Sequence, residues 1–126
     1  MEHSAFQNMV SLKWSWPASL DALVAAPRHH CKIFENDHVR VLETWIPRGE
    51  TVPVHTHRWP GVLLLQSWSE HVGRDETGKI IFESREAGPP PDVASVVWCE
   101  PPHSVENVGE ADLRVLRIEL KDLVDR

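Results

Sequence analysis

The chain has 126 residues, 41% of them hydrophobic and 25% charged, with a net charge of -6. That length fits one domain with a sizeable core, and the acidic balance argues against nucleic acid and anionic membrane surfaces as partners, since both call for a basic face. No apolar run approaches the length of a bilayer span, and MEHSAFQNMV at the start lacks the basic flank and apolar stretch of a secretory leader, so the cytoplasm is the expected location.

In chain order, residues 1–30 read as an N-terminal extension and 31–126 as a β-barrel domain. Trp14 and Trp16 are expected to pack against the barrel or a second subunit. Ser19 is positioned to cap a short helix over Leu20–Ala26, which Pro27 ends. His29 and His30 follow in an expected solvent-exposed loop. From Cys31 onward the signals are those of strands. Val39–Ile46 is rich in β-branched and aromatic residues and stops at Pro47 and Gly49. Val62–Trp68 is an apolar run. Asp75-Glu-Thr-Gly78 reads as a turn into Lys79–Ser84, making a hairpin. Gly88–Pro91 is a loop, and Ala94–Cys99 is a strand stopped by Pro101 and Pro102. Asn107-Val-Gly109 turns the chain into a final strand, Leu113–Leu120. Residues 31–120 show no helical periodicity, and short strands between Gly and Pro turns predict an all-β barrel or sandwich. Cys31 and Cys99 fit no CxxC pattern and are expected as free thiols.

Eight histidines are many for this length, and the absence of tyrosine excludes any mechanism that needs a phenol. His55 and His57 stand at i and i+2, so in extended chain both side chains point to one face. Two imidazoles meeting at one point suit a divalent transition metal. A third histidine, His103, follows Pro101-Pro102, with Asn107 four residues beyond it. Asn107 is expected to fix the turn after His103.

This arrangement resembles the cupin superfamily. Its first motif, a glycine, five residues and then His-x-His, matches Gly49, Glu50–Val54 and His55-Thr-His57; its second matches Pro101 or Pro102, His103 and Asn107. The resemblance covers about residues 33–120. It implies a cupin-type double-stranded β-helix, that is, a jelly-roll barrel following a short N-terminal extension. It also implies a divalent ion (Fe, Mn, Zn or Ni) on His55, His57 and His103. Two departures stand out. Pro102 occupies the region where the second motif usually has a glycine. Gly61 and Val62 stand where cupins commonly supply a metal-binding glutamate. Three neutral imidazoles would leave the ion's charge uncompensated and favour a small anionic ligand in an open position. All-histidine sites resemble those of thiol and β-diketone dioxygenases, although this chain lacks the tyrosine of the former.

Around the motifs, Arg58, Trp59, Gln66 and Trp98 are candidate lining residues of a substrate pocket, Arg58 as a fork for a carboxylate. Glu43 is a candidate acceptor for a histidine N–H. The readings that follow are a metal-dependent oxygenase-like or isomerase-like enzyme, a non-catalytic ligand-binding module, and a structural cupin. A homodimer is expected in each.

Overall fold

The computed structural model describes residues 14–88, 94–97 and 100–123, with the backbone alone for 94–97. Nine strands make up most of it: β1 His30–Glu35, β2 Val39–Ile46, β3 Thr51–His55, β4 Gly61–Ser67, β5 His71–Asp75, β6 Ile80–Glu83, β7 Ala94–Val97, β8 His103–Asn107 and β9 Leu113–Leu120. All strand pairs are antiparallel and form two sheets, β1-β2-β9-β4-β7 and β3-β8-β5-β6. The all-β expectation holds, and β2 and β9 have the expected limits. Alternation of short β-rich runs with Gly and Pro stops produces this layout.

Several local expectations change. The short helix before the barrel is α1, Ala22–Ala25, and its cap is Asp21 rather than Ser19: the Asp21 carboxylate accepts from the Leu23 backbone N–H at 3.2 Å. Ser19 lies instead in a 3-10 turn, Ala18–Leu20. A second one-turn helix, α2 at Ser84–Ala87, interrupts the stretch expected to be free of helix. The Asp75–Gly78 turn forms, with Gly78 at φ +92°, which favours glycine. Its hairpin joins β6 to a separate strand, β5, and not to the Val62–Trp68 run. The loop at residues 89–91 and the end of the Ala94–Cys99 strand, with Trp98 and Cys99, lie outside the described residues.

The core between the sheets gathers Ala26, Ile46, Val52 and Leu113, with Leu65, Trp68, Val105 and Val115 packed against it. Asn107 is fully buried beside this core. Its amide donates to the carbonyls of Ile46 and Ala111, both at 2.8 Å, and its oxygen accepts from Ser69 Oγ at 2.7 Å and Gly109 N–H at 3.0 Å. Those four bonds use the full capacity of one amide side chain.

The chain before β1 is part of this fold. Ala22 N–H donates to the Thr56 carbonyl, and Thr56 N–H donates to the Leu20 carbonyl, so residues 20–22 run along the end of β3. The expected extension thus reaches the same end of the sandwich as His55 and His57. Trp14 and Trp16 are half-buried, and the Arg58 guanidinium lies 5.5 Å from the Trp14 ring.

Candidate metal centre

The two histidine motifs meet because β3 pairs with β8 so that His55 stands directly opposite His103. Cross-strand partners bring their side chains together, and these two rings have centroids 4.7 Å apart. His57 lies just beyond the end of β3, with its ring 5.2 Å from that of His55. A fourth ring joins them. His30, the first residue of β1, sits 4.8 Å from His55 and 5.4 Å from His57. One ring nitrogen from each of His30, His55 and His57 lies within 4.8 Å of the others. The expected solvent exposure of His29 and His30 is therefore wrong: both are 5% exposed. His29 turns away from the cluster to Glu50, at 2.9 Å.

Each of the four rings is tethered through Nδ1. His30 Nδ1–H donates to the Ala26 carbonyl at 3.0 Å, His55 to Pro53 at 2.9 Å, and His103 to Pro101 at 2.8 Å. His57 Nδ1–H donates to a carboxylate oxygen of Glu119 at 2.7 Å. Carbonyl and carboxylate oxygens can only accept, so these bonds place the proton on Nδ1 and leave the lone pair on Nε2. Among the described residues, Nε2 of His30, His55 and His57 has no hydrogen-bond partner.

Glu119 is fully buried on β9, opposite Arg40 of β2. Arg117 Nε, two residues back on the same face, donates to the oxygen that His57 uses, at 3.0 Å, and the other oxygen accepts from Arg40 Nε at 2.5 Å. Arg40 also grips Asp21 with both terminal nitrogens, at 2.8 and 2.9 Å. A cavity of about 480 Å³ opens from the four histidines between the two sheets, and among the described residues that line it only Arg117 carries a fixed positive charge and only Glu100 a carboxylate.

No family model matches the sequence, and no curated protein matches it either. Solved structures do. A cupin domain from Bordetella pertussis Tohama I superposes with a TM-score of 0.59 at 18% identity, over 73% of this chain and 91% of that one. An RmlC-like cupin family protein with a double-stranded β-helix fold, from Methanocaldococcus jannaschii, gives 0.55 at 16% identity, over 75% and 80%. An uncharacterized double-stranded β-helix protein from Klebsiella pneumoniae gives 0.53 at 12%, over 75% and 78%. The chain has the cupin fold.

Within that fold, the position where cupins commonly carry a glutamate has a steric explanation. Gly61 pairs with Glu119 across β4 and β9. A Cβ there would lie 2.9 Å from the Ile118 carbonyl oxygen and 3.3 Å from Arg117 Cγ. The Arg117 side chain occupies the space a residue at this position would use.

Burial pushes the histidines down, His30 to about 4 and His55 to about 3, and His57 lies well below its ordinary value for the same first reason. Neighbouring histidines and Arg117 add to the effect. Glu119 moves the other way: burial raises it, opposed by Arg117 and Arg40. Neutral imidazoles are the form that binds metals. Ligand atoms about 2.1 Å from one ion stand at most about 4.2 Å apart, so ring nitrogens of His30, His55 and His57 within 4.8 Å of one another stand close to the bonding range of a shared ion. The donor set therefore fits a divalent metal.

Three of the other expected pocket residues, Arg58, Trp59 and Gln66, lie elsewhere. Arg58 and Trp59 do not line the cavity; the Arg58 guanidinium lies 5.7 Å from the Trp59 ring, on whose face Arg40 and Lys121 also sit. Gln66 is exposed on β4 and does not line the cavity either. Glu43 binds Arg114 at 2.7 Å; the carboxylate that orients a cluster histidine is Glu119. Cys31 is free and exposed.

The depressed histidines give a pH dependence. Their folded values lie below the unfolded value of about 6.5, so on acidification the unfolded chain takes up protons first. The stability they contribute is complete above pH about 6.5 and is lost as pH falls towards 4. Metal-free protein should lose about 1.4 kcal/mol per pH unit for each histidine that stays neutral, partly offset by Glu119. Denaturant titrations at a series of pH values check this; a flat profile from neutrality to pH about 5 contradicts the buried neutral cluster.

Proposed function

We propose that the chain is a metal-dependent cupin acting on a small anionic molecule, with the ion held by His30, His55, His57 and His103. What supports this is the shared tether: each ring has its Nδ1–H anchored on an oxygen, which orients the imidazole and raises its basicity. His30 extends the ligand set expected from the two motifs and stands in for the carboxylate that Gly61 and Val62 lack. Four neutral donors do not reduce the charge of an ion. Arg117 adds a further positive charge to the cavity wall, although Glu119 and the Trp59 carbonyl hold it. An anionic ligand in an open position complements that field.

When bound, the ion supplies a Lewis acid or, as iron, a centre for oxygen activation. Imidazole discriminates poorly among Fe, Mn, Zn and Ni, so availability decides which ion is held. Around it, Ile46, Val52, Val105 and Leu113 line an apolar wall that lowers the local dielectric and strengthens charge recognition. Among the described residues no helix is long and apolar enough to cross a membrane.

Protein purified without chelator is expected to carry close to one equivalent of metal by elemental analysis. His57→Ala should lose it while keeping its far-ultraviolet circular dichroism, and His30→Ala should weaken it. Full stoichiometry in His57→Ala contradicts the reading. In cobalt-loaded protein, carboxylates should shift the visible spectrum, and indifference to a broad panel contradicts the anionic ligand.

We also propose that two copies pair through β1. It is the edge strand of its sheet and exposes Ile33 at 55% and Phe34 at 53%, and an open apolar edge favours strand addition. Light scattering is expected to give a dimer for the native chain and a monomer for Phe34→Lys; a dimer unaffected by that substitution, or a native monomer, rejects this contact.

A further inference from the structure

The cavity continues well past the histidine cluster. In the β5–β8 ladder, Asp75 stands opposite His103 and His71 opposite Asn107. His71 is thus four residues along the ladder from the metal end, a distance of about 13 Å between Cα atoms. Val52, Val105, Leu113 and Val115 line the space between, all apolar. His71 lines its far part and is a fifth cavity histidine, separate from the cluster.

Its ring is fixed on three sides. Trp68 meets it edge-on at 5.3 Å, Phe82 stacks on it at 5.4 Å, and its Nδ1–H donates to the Ser69 carbonyl at 3.0 Å. In the neutral imidazole that bond leaves Nε2 as the acceptor, and among the described residues nothing donates to it. An oriented acceptor at the end of an apolar channel recognises a donor group on a ligand. Sites of this kind pair a mainly apolar lining with a few placed polar atoms, and about 480 Å³ suits a metabolite-sized molecule.

We propose that the cavity takes an elongated ligand with an anionic head at the histidine cluster, an apolar body along β8 and β9, and a hydroxyl or amide N–H at the far end that His71 Nε2 accepts. The head rests on the metal reading above; the far end does not. Replacing the terminal donor by hydrogen removes one hydrogen bond and leaves the acceptor unpaired, a difference of about fivefold to tenfold in affinity.

The test uses metal-loaded full-length protein and two probes with the same head, ω-hydroxyoctanoate and octanoate, compared by isothermal titration calorimetry. The native protein should prefer the hydroxylated probe by about fivefold or more. His71→Phe, which keeps a flat ring against Phe82 and Trp68, should bind both probes with the native affinity for octanoate. His71→Leu repeats the comparison if the phenylalanine variant misfolds. A native ratio near one, a preference that survives both substitutions, or no binding of either probe overturns the proposal. Metal content measured on the same samples separates the two readings. Full loading with no preference sinks the His71 assignment alone; absent metal sinks the metal site, while the ratio between probes of identical head still decides the role of His71.

Discussion

The buried Glu119 carboxylate holds barrel and histidine cluster together. A carboxylate with no exposed surface costs several kcal/mol unless its oxygens are filled. Here Arg40, Arg117 and His57 fill them, from β2, β9 and the segment after β3. Arg40 continues to Asp21, and Asp21 caps α1, the helix followed by Ala26, whose carbonyl tethers His30. One connected set of charges thus sets the orientation of two cluster histidines that are far apart in sequence. Removing Arg40 or Arg117 would leave the buried carboxylate short of a charged partner, which is the costly way to break such a network.

Burial favours the neutral form of His30, His55 and His57, and that form leaves a lone pair on each ring. Arg117 takes part in both halves of the design. It pairs with Glu119, and its stem lies beside Gly61, where an added Cβ would meet Arg117 Cγ at 3.3 Å. Glu100 stands 3.9 Å from His103 Nε2 with 46% of its side chain exposed, so the negative charge at this site is at its edge and partly in water.

How much of this was legible in the sequence depends on the kind of signal. β2 and the motif around His55 could be read because β-branched runs and Gly or Pro stops are local features. The meeting of His55 with His103 followed from the two motifs together. Arg117 and Glu119 were hidden by their own strand. Leu116, Ile118 and Leu120 alternate with them, so hydrophobic periodicity assigns the apolar face of β9 to the core and the charged residues to solvent. The fold does the reverse with Arg117 and Glu119, which are 3% and 0% exposed, because Arg40 stands opposite Glu119 and Arg117 donates to Glu119 and the Trp59 carbonyl. His30 was missed because its burial depends on residues 20–22 running beside Thr56, a long-range contact with no periodic signature. β5, with Gly73 and two charged residues among its five, carried too weak a strand signal to be separated from the run before it.

The most direct measurement is anomalous diffraction at the absorption edge of the bound ion, on crystals of the metal-loaded protein. A single peak about 2.1 Å from Nε2 of His30, His55, His57 and His103, with His57 Nδ1 still bonded to Glu119, is the predicted result. A peak at another place, or an ion bound through Nδ1 with His57 released from Glu119, would contradict the account.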